Sequence, residues 1–257
     1  MHRMKIRVLM PSVDTPCRLH YTTSVLIDGH LAIDTGGLPY LRTVEEQRQV
    51  DHILLTHSHI DHIGGLPIFI DNTYQPTPQC PEIYAGSATW DSLEKHIFND
   101  LIWPNLDRIG GTEAPFYRKH VVDAHRSFTV GKYQVTPIPM EHIVPTLGYL
   151  LEEETGNVLF AWDTAPFPEF VKMIDSISNL KAIFLDASFP NKLGWLAEKS
   201  QHTTPSQFGR MVEQVPSNVR VIAMHLKPGH HDELIEELQQ LNLPNVEVAC
   251  GEAVYEI

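Results

Sequence analysis

His57-Ser58-His59-Ile60-Asp61-His62, directly after the apolar run Ile53-Leu54-Leu55-Thr56, is the stretch on which the reading of this chain turns. Three imidazoles and a carboxylate fall within six residues at the end of an expected strand. Imidazole nitrogen and carboxylate oxygen are the ligands that zinc and similar divalent ions take in catalytic sites. Alternate side chains of an extended segment share a face, so His57 and His59 can grip one ion. The chain then turns at Gly64-Gly65, which lets Asp61 and His62 point to a second ion nearby. The alternative is a chance cluster of surface histidines. The preceding Thr, the internal Asp and the Gly-Gly turn speak against it.

Working outward, 257 residues suffice for one large domain or two small ones. No linker, repeat or low-complexity tract divides them, so a single domain over 1–257 is expected. A hydrophobic fraction of 42% and a charged fraction of 20% describe an ordinary globular chain. Charge is more informative: 19 basic against 32 acidic residues give −13, with no basic run. Nucleic-acid binders neutralise phosphates with Lys and Arg clusters, so a long polyanionic partner is disfavoured. One phosphate beside two divalent cations is not, because the ions bring the positive charge locally. Met1 to Arg7 has no apolar signal core and no later segment is long enough to cross a membrane, so a cytoplasmic protein without a membrane partner is expected. Cys17, Cys80 and Cys250 form no CxxC pair and no disulfide framework, and read as ordinary core or surface thiols.

Strand-like runs are expected at 6–10, 24–27, 31–34, 53–56, 83–85, 133–138, 146–151, 158–162, 182–185, 219–224 and 246–249. Helical patterns lie at 41–50, 87–98, 166–174, 204–215 and 232–241. Thr204 is a plausible cap with Pro205 behind it, and Leu234, Ile235, Leu238 and Leu241 recur at helical spacing. Strands at both ends with helices between and after them suit a layered α/β sandwich.

The run 57–62 resembles the HxHxDH signature of the metallo-β-lactamase superfamily, whose fold is an αββα sandwich. That resemblance implies a two-metal site completed by a distant His, a bridging Asp and a final His, each at a strand end. His142, after Tyr133-Gln134-Val135, fits the first. Asp163, ending Val158-Leu159-Phe160-Ala161-Trp162, fits the second, and His225, ending Arg220 to Met224, the third. The implied ligand set is His57, His59, Asp61, His62, His142, Asp163 and His225, holding two divalent ions, zinc first with manganese or iron as alternatives.

Two further segments select a branch. Phe184-Leu185-Asp186-Ala187-Ser188-Phe189 with Gln201-His202-Thr203-Thr204-Pro205 is similar to the Glu-Ala-Thr and His-Ser-Thr segments of ribonuclease Z, and to their counterparts in class II cyclic-nucleotide phosphodiesterases. Lys95 to Leu106, containing His96-Ile97-Phe98-Asn99 and Ile102-Trp103-Pro104-Asn105, looks like the corresponding stretch of those phosphodiesterases, as does His225-Leu226-Lys227-Pro228. The resemblance implies hydrolysis of a 3′,5′-cyclic nucleotide (cyclic AMP or cyclic GMP) to the 5′-monophosphate by a metal-bridging hydroxide. His202, oriented by Asp186, would protonate the leaving oxygen. Asp61 would be both ligand and acceptor for the bridging water. Phe98 and Trp103 would offer faces to a purine, with Asn99, His96 and Lys227 as polar contacts. Packing in a core is the other reading of the two aromatics.

The runner-up is another phosphodiesterase of the superfamily, acting on a 2′,3′-cyclic phosphate, a ribose cyclic phosphate or a transfer-RNA precursor. A transfer-RNA nuclease should carry a Gly/Pro/Lys-rich arm and a more basic surface, and neither is visible. The phosphonate-pathway phosphodiesterase usually carries a cysteine-rich zinc site, absent here. A lactonase or thioesterase needs no donor such as His202. A metal-binding or sensing module that has lost activity usually loses a ligand, and all seven positions are filled. A di-iron redox site would place Glu where His59 stands. The partner expected is a small phosphodiester, and the resemblance implies a homodimer.

Overall fold

Val25-Leu26-Ile27 and Val158-Leu159-Phe160-Ala161 are apolar at every position because each lies in a strand covered on both faces. The structure, a computed structural model, describes residues 3–9, 22–251 and 253–257. Cys17, His20 and the expected strand end at Met10 lie outside the described residues.

Among the described residues two seven-stranded mixed sheets face each other. The first holds β1 (Lys5–Val8), β2 (Val25–Ile27), β3 (Leu31–Ile33), β4 (His52–Leu55), β5 (Glu82–Ala85) and β6 (Arg118–Val121) in spatial order. The second runs from β7 (Phe128–Val130) through β8 (Tyr133–Met140), β9 (Thr146–Glu153), β10 (Gly156–Ala161), β11 (Leu180–Asp186) and β12 (Arg220–Met224) to β13 (Val246–Val248). The last strand, β14 (Val254–Glu256), returns to the first sheet beside β1. Helices α1 (Val44–Gln47), α2 (Ile60–Ile63), α3 (Leu66–Thr73), α4 (Ser87–His96) and α5 (Leu106–Gly110) belong to the first half. Helices α6 (Phe170–Ser176), α7 (Gly194–Ser200), α8 (Pro205–Val212) and α9 (His231–Gln240) belong to the second.

The central core is made by the inner faces, with Ile6, Ile27 and Leu54 opposite Tyr149, Phe160 and Phe184. The outer face of the first sheet packs under α3 and α4 through Ile53, Ile83, Phe69 and Trp90. That of the second packs under α6, α8 and α9 through Leu159, Ile183, Phe170, Phe208 and Leu234. The layers are therefore αββα, as expected from the sequence. No helix among the described residues is long and apolar enough to cross a membrane.

Strand direction positions the site. β8 and β10 flank β9 antiparallel to it, while β11 and β12 run parallel to β10. The C-terminal ends of β8, β10, β11 and β12 therefore open on one edge of the sandwich. β4 ends at the same edge, because the backbone N–H of Leu147 donates to the Thr56 carbonyl at 3.0 Å. The Tyr149 hydroxyl adds a bond to the Leu55 carbonyl at 2.7 Å.

The metal motif does not stay extended. His59 is the last β-like residue, and Asp61 and His62 sit on the single turn α2, which ends at Gly64. Gly65 then opens α3 with an ordinary φ of −78°. It is required by space: an added Cβ would lie 2.0 Å from the Thr35 carbonyl oxygen. Gly65→Ala is expected to cost about 1–3 kcal/mol or more through overpacking. A Tm within a degree of wild type by calorimetry would remove that reading of Gly65.

Candidate metal centre

Each residue of the implied ligand set is delivered by an element just described, and the structure brings all of them together. Donor atoms of His57, His59 and His142 lie within 4.8 Å of one another, as do those of Asp61, His62 and His225. Asp163 groups with His57 and His62 on one side and with His225 and His202 on the other. The His142 Nε2 is 3.2 Å from the His59 Nδ1, and the His225 Nε2 is 3.1 Å from Asp61 Oδ2. Asp163 and His225 take positive φ, 55° and 63°, at the ends of their strands. So do Asp34 at 59° and Gln201 at 53°. Left-handed backbone at non-glycine positions costs on the order of 1–3 kcal/mol and gathers at functional sites, where it re-aims a side chain.

A hydrogen-bonded shell fixes which ring nitrogen faces the cluster. The Thr56 hydroxyl donates to Asp34 Oδ2 at 2.8 Å and accepts from the His57 Nδ1–H at 3.0 Å, which turns the His57 Nε2 inward. The His62 Nδ1–H donates to Asp34 Oδ2 at 2.7 Å, so its Nε2 also faces in. The His142 Nδ1–H donates to the Gln201 carbonyl at 3.2 Å. The His225 Nδ1–H donates to the Ser188 hydroxyl at 3.0 Å. Asp34, fully buried, also accepts from the Thr56 backbone N–H at 2.8 Å and the Trp162 indole N–H at 3.1 Å.

The donor set fits divalent cations. The buried Nε2 atoms of His57 and His62 and both carboxylate oxygens of Asp163 have no hydrogen-bond partner. His62 Nε2 is 3.1 Å from Asp163 Oδ2 without hydrogen-bond alignment. Orphaned buried donors and acceptors are costly, and a cation between them satisfies all at once. Ionisation agrees. Burial, with His62 nearby, holds His57 well below the usual imidazole value. Burial likewise holds His142 at about 4 and lowers His59 and His225. Each therefore offers a lone pair at neutral pH. Asp163 stays ionised because His225 and His62 outweigh its burial. His62 is the exception: Asp163 and Asp34 outweigh burial and hold its proton, which a cation must displace.

Beside the cluster lies the second pair. The His202 Nδ1–H donates to Asp186 Oδ2 at 2.8 Å, and the His202 Nε2 lies 3.9 Å from Asp163 Oδ1. The shorter Asp side chain therefore makes the contact a Glu would make. Asp186 is anchored by the backbone N–H groups of Thr203 at 2.8 Å, Asp163 at 3.1 Å and Ser188 at 3.2 Å. The Lys227 ammonium stands 5.9 Å from the centroid of the Phe189 ring, which itself lies 5.6 Å from the His202 ring.

The segment 96–103 is placed differently. Phe98 is 3% exposed and packs against Tyr117 in the core under α4, so it has no free face for a purine; that expectation is corrected by burial. Asn99 is corrected too. Its Oδ1 accepts from the N–H groups of Leu101 and Ile102, and its Nδ2 donates to the Lys95 carbonyl, so its polar atoms close a turn. Trp103 packs partly buried against the same core, and His96 is exposed at the end of α4.

Sequence reasoning missed Asp34, Thr56 and Ser188, which hydrogen-bond the histidines of the cluster, and Trp162, which donates to Asp34. The one local signal was Thr56 itself, adjacent to His57. Thr56→Val removes the hydroxyl between Asp34 and His57 without changing shape. It is expected to lower metal affinity about 10–100-fold, the usual reach of such outer partners. Competition titration with a chelating dye measures this, and an unchanged affinity would show the hydroxyl to be dispensable.

Two sheets, outer helices and a His/Asp cluster at one sandwich edge define a metallo-β-lactamase-type architecture. Residues 23–226 match the model of the Beta-lactamase superfamily domain, and the chain belongs to that superfamily. Over 102 residues it is 36% identical to the 3′,5′-cyclic-nucleotide phosphodiesterase of Schizosaccharomyces pombe, covering 38% of this chain and 27% of the relative. Over 66 residues it is 39% identical to 3′,5′-cyclic-nucleotide phosphodiesterase 1 of Saccharomyces cerevisiae, covering 25% of this chain and 18% of the relative. The matched region thus spans less than a third of either relative. Unliganded yeast PDE1 superposes with a TM-score of 0.80 at 16% identity over 100% of both chains, a likeness of fold.

Proposed function

We propose that the chain is a dinuclear-metal phosphodiesterase that hydrolyses a 3′,5′-cyclic nucleotide to the 5′-monophosphate, with residues 1–257 acting as one hydrolase unit. The observation that carries this reading is the Asp186–His202 pair, joined at 2.8 Å and set against the metal cluster. Expulsion of a sugar alkoxide from phosphorus calls for a proton donor at the leaving oxygen, whereas departure of a thiolate from a thioester does not. The names of the fungal relatives point to a cyclic nucleotide within that class. The charge of −13 favours a small phosphodiester over a long nucleic acid.

His57, His59 and His142 would hold one ion, Asp61, His62 and His225 the other, with Asp163 between them. When bound, the ions supply an acidified water as nucleophile and positive charge against the phosphoryl oxygens. Zinc is the expected species, and manganese or iron(II) suit the same donors. The water oxygen bonds to phosphorus as the P–O3′ bond breaks. His202 gives its Nε2 proton to O3′ and stays oriented through Nδ1–H and Asp186. Asp61, whose side chain is 27% exposed, would accept a hydrogen bond from that water while the proton leaves to solvent, since His225 and His62 outweigh burial and hold its carboxyl well below the usual carboxylate range. The Lys227 ammonium offsets charge on the non-bridging oxygens.

Initial rates with 3′,5′-cyclic AMP, 3′,5′-cyclic GMP, a 2′,3′-cyclic nucleotide and bis(p-nitrophenyl) phosphate test this, using zinc- and manganese-loaded protein. A 3′,5′-cyclic nucleotide turned over fastest, with chelator abolishing the rate, is expected. Preference for the 2′,3′-cyclic substrate would move the chain to another phosphodiesterase branch.

A further inference from the structure

The Ser188 hydroxyl stands where the metal cluster and the His202 pair meet. Its oxygen is 3.0 Å from His225 Nδ1, 3.1 Å from Asp186 Oδ2 and 3.2 Å from His202 Nδ1. His225 and His202 are stacked, with centroids 5.2 Å apart and planes 18° from parallel, so both rings turn their Nδ1 edges to the same point. Ser188 is fully buried, and its backbone is held on both sides of that point. Its N–H donates to the Thr203 carbonyl at 2.9 Å, and its carbonyl accepts from the Lys227 N–H at 3.1 Å.

We infer that Ser188 is the positioning residue that couples a metal ligand to the acid: its hydroxyl accepts from His225 Nδ1–H and donates to Asp186, aligning both rings through one oxygen. A hydroxyl can do this because it is donor and acceptor at once. A carboxylate only accepts, so Asp186 alone would hold His202 but would have no proton to offer the chain of bonds. With the Ser188 proton committed to Asp186, the oxygen lone pairs are left for His225. That selects the His225 tautomer whose Nε2 faces Asp61 and Asp163. The same bond occupies one site on Asp186 Oδ2, so the carboxylate is held in the plane that meets His202. Hydrogen bonds in such a chain strengthen one another in a dry interior. The kinetic part of this assignment rests on the phosphodiesterase reading; the tautomer does not.

Two measurements on Ser188→Ala, with Ser188→Thr as the conservative control, test it. Long-range proton–nitrogen spectra of zinc-loaded, histidine-labelled protein are expected to show His225 as the Nδ1–H form in wild type and Ser188→Thr. In Ser188→Ala the His225 and His202 signals should both move. If neither signal moves, Ser188 is packing only and the inference is overturned, whatever the substrate proves to be. In kinetics at saturating metal, Ser188→Ala is expected to lower kcat for the 3′,5′-cyclic nucleotide about 10–100-fold. With bis(p-nitrophenyl) phosphate, whose leaving group needs no proton, the loss should be at least about threefold smaller, limited to the part that acts through His225. Equal losses on both substrates, or a Ser188→Thr variant as impaired as Ser188→Ala, would also overturn it.

Discussion

Asp163→Ala is expected to give a folded protein that has lost its metals and its turnover together. The carboxylate lies within 3.1 Å of the His62 Nε2 and 3.4 Å of the His225 Nε2, at the overlap of the two donor groups. Removing it would take one donor from each of the overlapping groups that Asp163 shares. Metal catalysis supplies several kcal/mol of the barrier reduction, and each 1.36 kcal/mol is tenfold, so activity should fall by roughly 10³–10⁵. Stability should fall as well. Asp163 is ionised in the fold and faces His62, which Asp163 and Asp34 keep protonated, so the substitution leaves that buried charge with one partner fewer. The metal-free variant should therefore melt below metal-free wild type, and chelator should no longer shift its Tm. Metal content by mass spectrometry, together with calorimetry, separates the outcomes. A variant holding two ions per chain would remove Asp163 from the ligand set.

The second large effect belongs to His202. His202→Ala should retain both metals yet lose about 10²–10⁴ in kcat on a substrate with an alkoxide leaving group. The loss on bis(p-nitrophenyl) phosphate should be small, because nitrophenolate departs unprotonated. A pH effect accompanies this. Burial works against a charge on His202, but Asp186, its hydrogen bond and Asp163 outweigh burial and raise its value above 6.5. The protonated acid therefore persists above that pH, and activity falls as pH rises through the raised folded value. Stability contributed by the Asp186 pair follows the same course: full below 6.5, lost on the alkaline side. His202→Ala should lack this alkaline limb. A variant as active as wild type on the cyclic nucleotide would show that the leaving oxygen takes its proton elsewhere.

The fold and the residues that gather at the cluster were legible because their signals are local. HxHxDH fits in six residues, and each remote member of the cluster ends an apolar run. What escaped was non-local or weakly patterned. β6 reads Arg118-Lys119-His120-Val121, a charged edge strand whose Arg118 and His120 pair with Glu82 of β5. β7 and β14 are three residues each, below any periodicity. α3 reads Leu66-Pro67-Ile68-Phe69-Ile70, an apolar run without a polar stripe; Pro67 in its first turn was the available clue. The pattern at 41–50 yields only the short α1, Val44–Gln47. Asp34 looked like any strand-end carboxylate, and only its approach to Thr56, 22 residues on, and His62, 28 residues on, gives it a task. Phe98 and Asn99 misled for the converse reason. Their residue types suit base recognition, but burial and a local turn consume them.

One measurement bears most directly on the proposed reaction: phosphorus NMR of the product formed from 3′,5′-cyclic AMP by the two-metal protein in ¹⁸O-labelled water. The expected result is the 5′-monophosphate carrying one ¹⁸O, which requires attack at phosphorus with loss of O3′. Formation of the 3′-monophosphate, or no turnover by protein shown to hold two ions per chain, would contradict it.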